Sequence, residues 1–390
     1  AHTASPDALG TSRFRWDRLT VASTLSYFVL VAGLSVGVVL GELRTQFHLS
    51  GVLAALHGST FGVGLLAWGV WGPGVIDRLG RRTALTLSMS SVAAGVVLFC
   101  VGPAWPVTLL GTVLSGTGCA VLVLVMPGLI SDHHGPHRAV AFSAINGVAG
   151  LAALVYSLVI GAFLTAHLGW RWPYLGITAV FAAMLAAVAL PVNVPNGERT
   201  ATYSLRHLRS REVLVPWLHL VNSTLVEFPL GVWAVTYLRE AGHASAGLAP
   251  MLAISFALAM SAGRMVLDQL VRWFGRFTVP LCYSLVIAGV LLLCFVPSLP
   301  VRTVALGICG LGSGPLYPLT VDRFYVRIGD RLDSTTLSAY CALASGAAIT
   351  VGPLALGVLA DTASLRWAVL VVPALAVVAL ATQRPAEQAG

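Results

Sequence analysis

Lysine is absent from this chain of 390 residues, and all 23 basic residues are arginine. Charge of either sign is scarce. Only 10% of the residues are charged, against about 25% in a soluble globular protein. So few charges cannot coat a globule of this length, so a water-soluble fold is excluded and the solvent must be lipid. The net charge of +8 is then no sign of nucleic acid, because membrane orientation itself demands arginine in short loops. The six cysteines (Cys100, Cys119, Cys282, Cys294, Cys309 and Cys341) lie in apolar stretches, with no C-x-x-C pair among them. Neither a disulfide framework nor a metal site is indicated. A Walker phosphate loop and H-E-x-x-H are missing too, so ATP-driven transport and zinc hydrolase chemistry have no support. The expectation is a protein that is not an enzyme and needs no cofactor beyond a proton gradient. Ala1–Trp16 lacks the apolar core of a signal peptide and reads as a cytoplasmic tail.

What the chain does have is apolar length: 57% of residues are hydrophobic and the mean hydropathy is +0.85. A membrane-spanning helix needs about 20 apolar residues. About twelve stretches qualify, near 20–43, 50–72, 83–103, 106–131, 139–167 and 171–191, then 213–238, 246–271, 277–297, 300–325, 334–361 and 366–382. The long polar interruption from Pro191 to Arg211 divides them equally. The expected organisation is a tail (1–19), a six-helix bundle (20–191), a cytoplasmic linker (192–212), a second six-helix bundle (213–382) and a tail (383–390). The halves also repeat at an offset of 195 residues: Leu43-Arg44 recurs as Leu238-Arg239, Gly80-Arg81 as Gly275-Arg276, Ser143-Ala144 as Ser338-Ala339, and Arg171-Trp172 as Arg366-Trp367. Two parallel halves in an apolar chain suggest a secondary transporter with its site between them.

Arginine placement sets the orientation. With both termini inside, 17 arginines fall in cytoplasmic segments and 5 in outer loops, while Arg264 lies within the eighth stretch. That asymmetry predicts cytoplasmic termini and supports an even number of spans.

The loop after the second stretch reads Asp77-Arg78-Leu79-Gly80-Arg81-Arg82. It resembles the signature loop of the major facilitator superfamily, G-x-x-x-D-R-x-G-R-R. The resemblance, with the two six-helix halves, covers essentially the whole chain. It implies an all-α membrane fold of two pseudo-symmetric bundles and a latch that controls conformation, made here by Asp77, Arg78, Gly80, Arg81 and Arg82. The chain departs from the pattern in placing Pro73 at the first glycine, and in the second half Arg272 stands where the acid should be. Asp268 is the expected substitute, and Arg264 is expected to snorkel or to pair with Asp268 or Asp322. Gly169-Trp170-Arg171-Trp172 matches the family's turn between spans 5 and 6. The run Gly310-x-Gly312-x-Gly314-Pro315-x-Tyr317-Pro318 predicts an interrupted tenth span.

Glu227 lies near the middle of the seventh stretch. A carboxylate at the bilayer centre costs about 2.5–3.5 kcal/mol on insertion scales, so it should face a cavity, be protonated or be paired. Pro229 removes the backbone bond to Leu225 and should bend the helix beside it. In the superfamily, spans 1, 4, 7 and 10 line the substrate cavity, which by resemblance puts Glu227 there as the expected carrier of a coupling proton. The surrounding segment also resembles the seventh span of the fucose–galactose–proton symporter group. That group usually has acids on spans 1 and 4, where this chain has none before Glu42 and Asp132 at the ends. Ser223 and Thr224 share the face of Glu227, and Trp233 and Tyr237 follow it. Tyr27 and Tyr317 are cavity candidates by resemblance. Asn146, Tyr156, Tyr340, Asn222 and His57 are further candidates, with helix packing the competing explanation. Asp132-His133-His134 with His137 has ligand chemistry but sits in a variable loop, and no metal is expected.

The cavity spans are poor in Asn and Gln and lack a central arginine. Sugars want several amide partners and anions want a fixed positive charge. The solute is therefore expected to be small, neutral or cationic, and fairly apolar. Efflux of toxic compounds and a non-transporting sensor or lipid-handling role on the same fold are the alternatives. The partners expected are this solute, protons and the lipid of a bacterial cytoplasmic membrane, with the protein acting as a monomer.

Overall fold

A computed structural model describes residues 16–134, 138–189, 194, 205–328, 331–332 and 334–382. Among the described residues all regular structure is helical and no strand occurs. Twelve spans are long and apolar enough to cross a membrane: Arg18–Phe47, Gly51–Gly72, Arg81–Val101, Trp105–His134, Val148–Thr165, Arg171–Val188, Arg211–Glu240, Leu248–Met265, Leu267–Phe295, Leu299–Ile328, Thr336–Ala363 and Leu365–Thr382. They are numbered 1 to 12 in chain order. Spans 1–6 form one bundle and spans 7–12 the other. Spans 1 with 7, 2 with 11, and 5 with 8 pack across the two bundles. Residues 1–15 of the expected N-terminal tail, the expected C-terminal tail and most of the linker lie outside the described residues.

Local chemistry explains where the helices differ from plain apolar stretches. Span 1 starts at Arg18, because Asp17 accepts the Thr20 amide at 2.8 Å and caps the first turn. Near its middle it splits into Arg18–Leu34 and Val36–Phe47 at Ser35. The Ser35 hydroxyl donates to the Val31 carbonyl at 2.8 Å, a local bond that competes with the helical ladder. Ser35 also falls at the centre of Gly33-Leu34-Ser35-Val36-Gly37, the spacing of a hydrolase nucleophile elbow. It lies instead at this helix break with its hydroxyl bonded to backbone. Span 8 stops at Met265 rather than near 271, and a separate short helix, Leu267–Phe274, precedes the main helix of span 9, Thr278–Phe295. Span 10 is interrupted as its glycines and prolines predict, with helices Leu299–Ser313 and Leu316–Ile328 meeting at Gly314-Pro315.

The 195-residue repeat acquires a physical meaning. Gly80 and Gly275 both have positive φ, 78° and 48°, the backbone region that a side chain disfavours. Each closes the tight turn ahead of the main helix of the third span of its bundle, Arg81–Val101 and Thr278–Phe295. Arg171 donates to the Cys100 and Gly102 carbonyls at 2.8 and 2.9 Å. Its counterpart Arg366 donates to the Cys294 carbonyl at 2.7 Å. Each arginine thus meets the unpaired carbonyls at the C-terminal end of a neighbouring helix. The repeated dipeptides are the shared end-caps of two equivalent bundles.

Candidate functional site: an ion pair at a broken helix

Glu227 is paired. Its Oε1 accepts from Arg264 Nη2 at 2.8 Å, with the Glu227 side chain 16% exposed and that of Arg264 43%. This corrects the expected pairing of Arg264, which meets neither Asp268 nor Asp322. The cation beside Glu227 comes from span 8, and the cavity spans themselves supply none to it. Asp268 is exposed, one turn beyond Arg264 and separated from it by the end of span 8 at Met265.

Backbone chemistry sets the position of Arg264. The Gly314 carbonyl would ordinarily accept the amide of residue 318, but Pro318 has no N–H. Arg264 Nε takes that place, donating to Gly314 O at 3.2 Å. Gly263 lets span 8 come this close, since a Cβ on it would lie 2.6 Å from the Leu311 carbonyl and 3.1 Å from Pro315. One guanidinium therefore joins the acid of span 7 to the freed carbonyl of span 10. Tyr317, just past the break, lies within electrostatic range of Glu227 and accepts from the Ser345 hydroxyl at 3.1 Å. Pro229 is seated against Gly352 of span 11, where a Cβ would meet its ring at 2.5 Å.

Several expected cavity residues are committed to packing. Tyr156 is fully buried inside the first bundle, its hydroxyl 2.6 Å from that of Thr178. His57 is buried, with Nδ1 on the Leu53 carbonyl at 2.9 Å and Nε2 on Thr108 at 3.0 Å. Asn222 turns toward spans 9 and 12, donating to Leu375 O at 3.1 Å and accepting from Tyr283 at 3.2 Å. Trp233 donates to Pro353 O at 3.2 Å and Tyr237 to Leu293 O at 2.7 Å. Tyr340 is fully buried, its carbonyl accepting from Trp217. Ser223 bonds Thr320 of span 10 at 3.0 Å, and Thr224 turns back to Leu220 O at 3.3 Å. Tyr27 is buried in span 1. The side chain of Asn146 lies outside the described residues. Thus hydrophobic context did not distinguish polar side chains that serve packing from those near the acid.

In the predicted latch, Asp77 and Arg78 are exposed at the end of the helix Gly51–Leu79. Arg81 reaches Asp132 of span 4 at 2.5 Å, and Arg82 is exposed beyond it. Beside this loop, Asp17 Oδ2 meets His133 Nε2 at 2.5 Å, while Thr20 meets His134 at 3.1 Å. Burial pushes the Asp17 carboxyl up, but the Thr20 amide and hydroxyl and His133 outweigh it and hold the group at about 2. His137 lies outside the described residues.

The end of the bundles far from the linker carries a cluster that was not expected. Arg44 pairs with Glu240 and lies 3.9 Å from Asp361, and Arg239 meets Glu42 at 2.6 Å. The Arg239–Glu42 contact is an ion pair rather than an aligned hydrogen bond, because the Glu42 oxygen finds no donor in line. Asp361 also accepts the Gly51 and Val52 amides at 2.5 and 3.1 Å, so an acid of one bundle caps a helix of the other. Arg44 and Arg239 are repeat equivalents, and each holds an acid of the opposite bundle. The signal was present in the sequence as the Leu-Arg repeat flanked by Glu42 and Glu240.

Two six-helix bundles, joined at one end by reciprocal ion pairs and holding a central acid beside a broken helix, define a multi-pass membrane protein of the transporter type. The family model of the Major Facilitator Superfamily matches residues 19–340, and the chain belongs to that superfamily. Facilitated glucose transporter member 8 of solute carrier family 2 from Bos taurus is 29% identical over 130 residues, 32% of this chain and 25% of that protein. A multidrug resistance protein B homolog from Mycobacterium tuberculosis is 27% identical over 132 residues, 33% of this chain and 24% of that protein. The chain thus spans about a quarter of the length of these curated relatives. The crystal structure of the nucleoside transporter NupG shares the fold, with a TM-score of 0.70 at 12% identity over 94% of this chain and 97% of that one.

Proposed function

We propose that the protein moves a small, neutral or cationic, fairly apolar organic solute by alternating access, coupled to protons through Glu227. The observation that carries this reading is the Glu227–Arg264 pair at the break in span 10. A proton or a cationic group arriving at Glu227 competes with Arg264. Either one releases the guanidinium and, with it, the contact that steadies the Gly314 carbonyl. Occupancy of the acid thereby acts directly on the packing of spans 7, 8 and 10. Arg264 spends its charge on Glu227, so the pair leaves no net positive charge for an anionic solute. Because Asn222, Tyr156, Trp233 and Tyr237 serve packing, few polar groups remain for a sugar. This apolar character equally favours efflux of toxic compounds as a second reading.

The arginine asymmetry supports both termini inside, and the lysine-free composition rich in Ala, Gly, Val and Leu supports a bacterial cytoplasmic membrane. In that orientation Glu42, Arg44, Arg239, Glu240 and Asp361 form the outer closure, and a monomer suffices for the cycle. The test is a thermal-shift screen of metabolites and toxic cations on the purified full chain at two pH values. The proposal expects a ligand whose stabilisation depends on pH in the wild type and loses that dependence in Glu227→Gln. Unchanged pH dependence in Glu227→Gln would overturn the assignment.

A further inference from the structure

Outside the central site, the first bundle holds a cavity of about 280 Å³ at the linker end, between spans 1, 3, 4 and 6. Its wall is apolar, built of side chains such as Leu19, Val29, Leu85, Met126 and Leu185. It opens where Thr86, Ser90 and Ala186 are exposed on spans 3 and 6. Large apolar side chains of the same two spans, Leu87, Val180 and Met184, are exposed as well, so in this transmembrane protein the opening faces the hydrocarbon of the bilayer.

Arg82 stands at the rim. It is exposed and its guanidinium has no ion-pair or hydrogen-bond partner among the described residues, whereas its neighbour Arg81 is taken by Asp132. Among the described residues no acid lines the cavity. The space lies just below the range for ligand pockets, about 300–1,000 Å³, which suits one alkyl chain better than a bulky ring system. Met89 and Met126 give the wall the adaptability that a flexible chain needs.

We infer that this cavity binds one acyl chain of an anionic phospholipid from the leaflet that contains Arg82, with the lipid phosphate on the Arg82 guanidinium. A single cation over an apolar wall, with no acid among its described residues, matches an amphiphile with one anionic head. The opening between spans 3 and 6 places the source of the chain in the bilayer rather than in water. Bound there, the lipid wedges span 1 from the side away from the central acid and engages an arginine of the signature loop.

The test uses the purified full chain equilibrated in mixed micelles with equimolar palmitoyl-oleoyl phosphatidylglycerol and phosphatidylcholine, and counts retained lipid by native mass spectrometry. The wild type is expected to retain phosphatidylglycerol about tenfold over phosphatidylcholine, the size of one charge-assisted contact. Arg82→Gln, at an exposed and unpaired position, should bring the ratio near one. Arg78→Gln, on the same loop but outside the cavity, should leave it unchanged. Ala182→Phe narrows the cavity and should lower retention of both lipids. The inference is overturned by equal retention in the wild type, by an intact preference in Arg82→Gln, or by an equal loss in Arg78→Gln. Displacement of the phospholipid by equimolar palmitate would overturn the bilayer source. If Ala182→Phe does not fold, the two arginine variants decide the matter.

Discussion

Replacing Arg264 by Met removes two contacts at once, the counter-charge of Glu227 and the donor to Gly314 O. Loss of one partner from a fully buried ion pair costs about 3–5 kcal/mol, while an exposed pair contributes about 0–1 kcal/mol. With Glu227 16% exposed and Arg264 43%, the intermediate geometry sets the charge penalty at about 2 kcal/mol. The Gly314 carbonyl, left without a donor, adds about 1 kcal/mol. Arg264→Met is therefore expected to destabilise the protein by about 3 kcal/mol. Adding Glu227→Gln removes the stranded charge but not the stranded carbonyl, so the double variant should recover about 2 of those 3 kcal/mol. Arg264→Lys keeps a charge for Glu227 but cannot hold both groups with one planar fork, and should fall between wild type and Arg264→Met. Reversible unfolding by sodium dodecyl sulfate in mixed micelles measures all four. A double variant no more stable than Arg264→Met would refute the reasoning, because the pair would then carry no coupling.

Charge reversal Arg239→Glu should open the far end of the bundles, and the swap Glu42→Arg with Arg239→Glu should close it again. Reaction of an impermeant maleimide with Val232→Cys in a cysteine-free background reads this as a roughly fivefold faster rate that the swap restores, as expected for a contact of about 1 kcal/mol. Asp17 has its carboxyl lowered from 3.8 to about 2, so its stabilisation is complete above pH 3.8 and is lost as pH falls through about 2. With the side chain 45% exposed, screening reduces the effect to about 1 kcal/mol. Asp17→Asn should therefore differ from the wild type at neutral pH and converge with it below about pH 2 in unfolding titrations. Gly263→Val drives a Cβ into the Leu311 carbonyl and should cost about 1–3 kcal/mol of stability, read by the same unfolding assay. It should also disturb Arg264, so a variant as stable as wild type would show that span 8 needs no close approach.

Much of the fold was legible because it rests on quantities that run along the chain. The twelve stretches follow hydropathy, and the break in span 10 follows from Pro315 and Pro318, which lack the backbone donor. The Arg171 and Arg366 turns were readable as a repeat, though their work as helix end-caps was not. The central acid stood out because a carboxylate in lipid is costly wherever it lies. Its partner did not. Arg264 had nearer acids in sequence, and only the Gly263 crossing of spans 8 and 10 turns it toward Glu227. His57 and Asn222 failed as cavity residues for the same reason. A span's hydropathy does not say how the helix is rotated about its own axis, so a polar group facing a neighbouring helix looks like one facing a cavity.

The sequence by itself determined the solvent, the number of spans and the equality of the two halves, because composition and periodicity are properties of the chain alone. The tertiary structure decided the pairings: Arg264 with Glu227, Arg44 with Glu240, Arg239 with Glu42, and Asp361 on the first turn of span 2. Each depends on which faces of separate helices meet. That is set by packing between spans whose surfaces toward lipid and toward each other are equally apolar, so hydropathy carries no record of it.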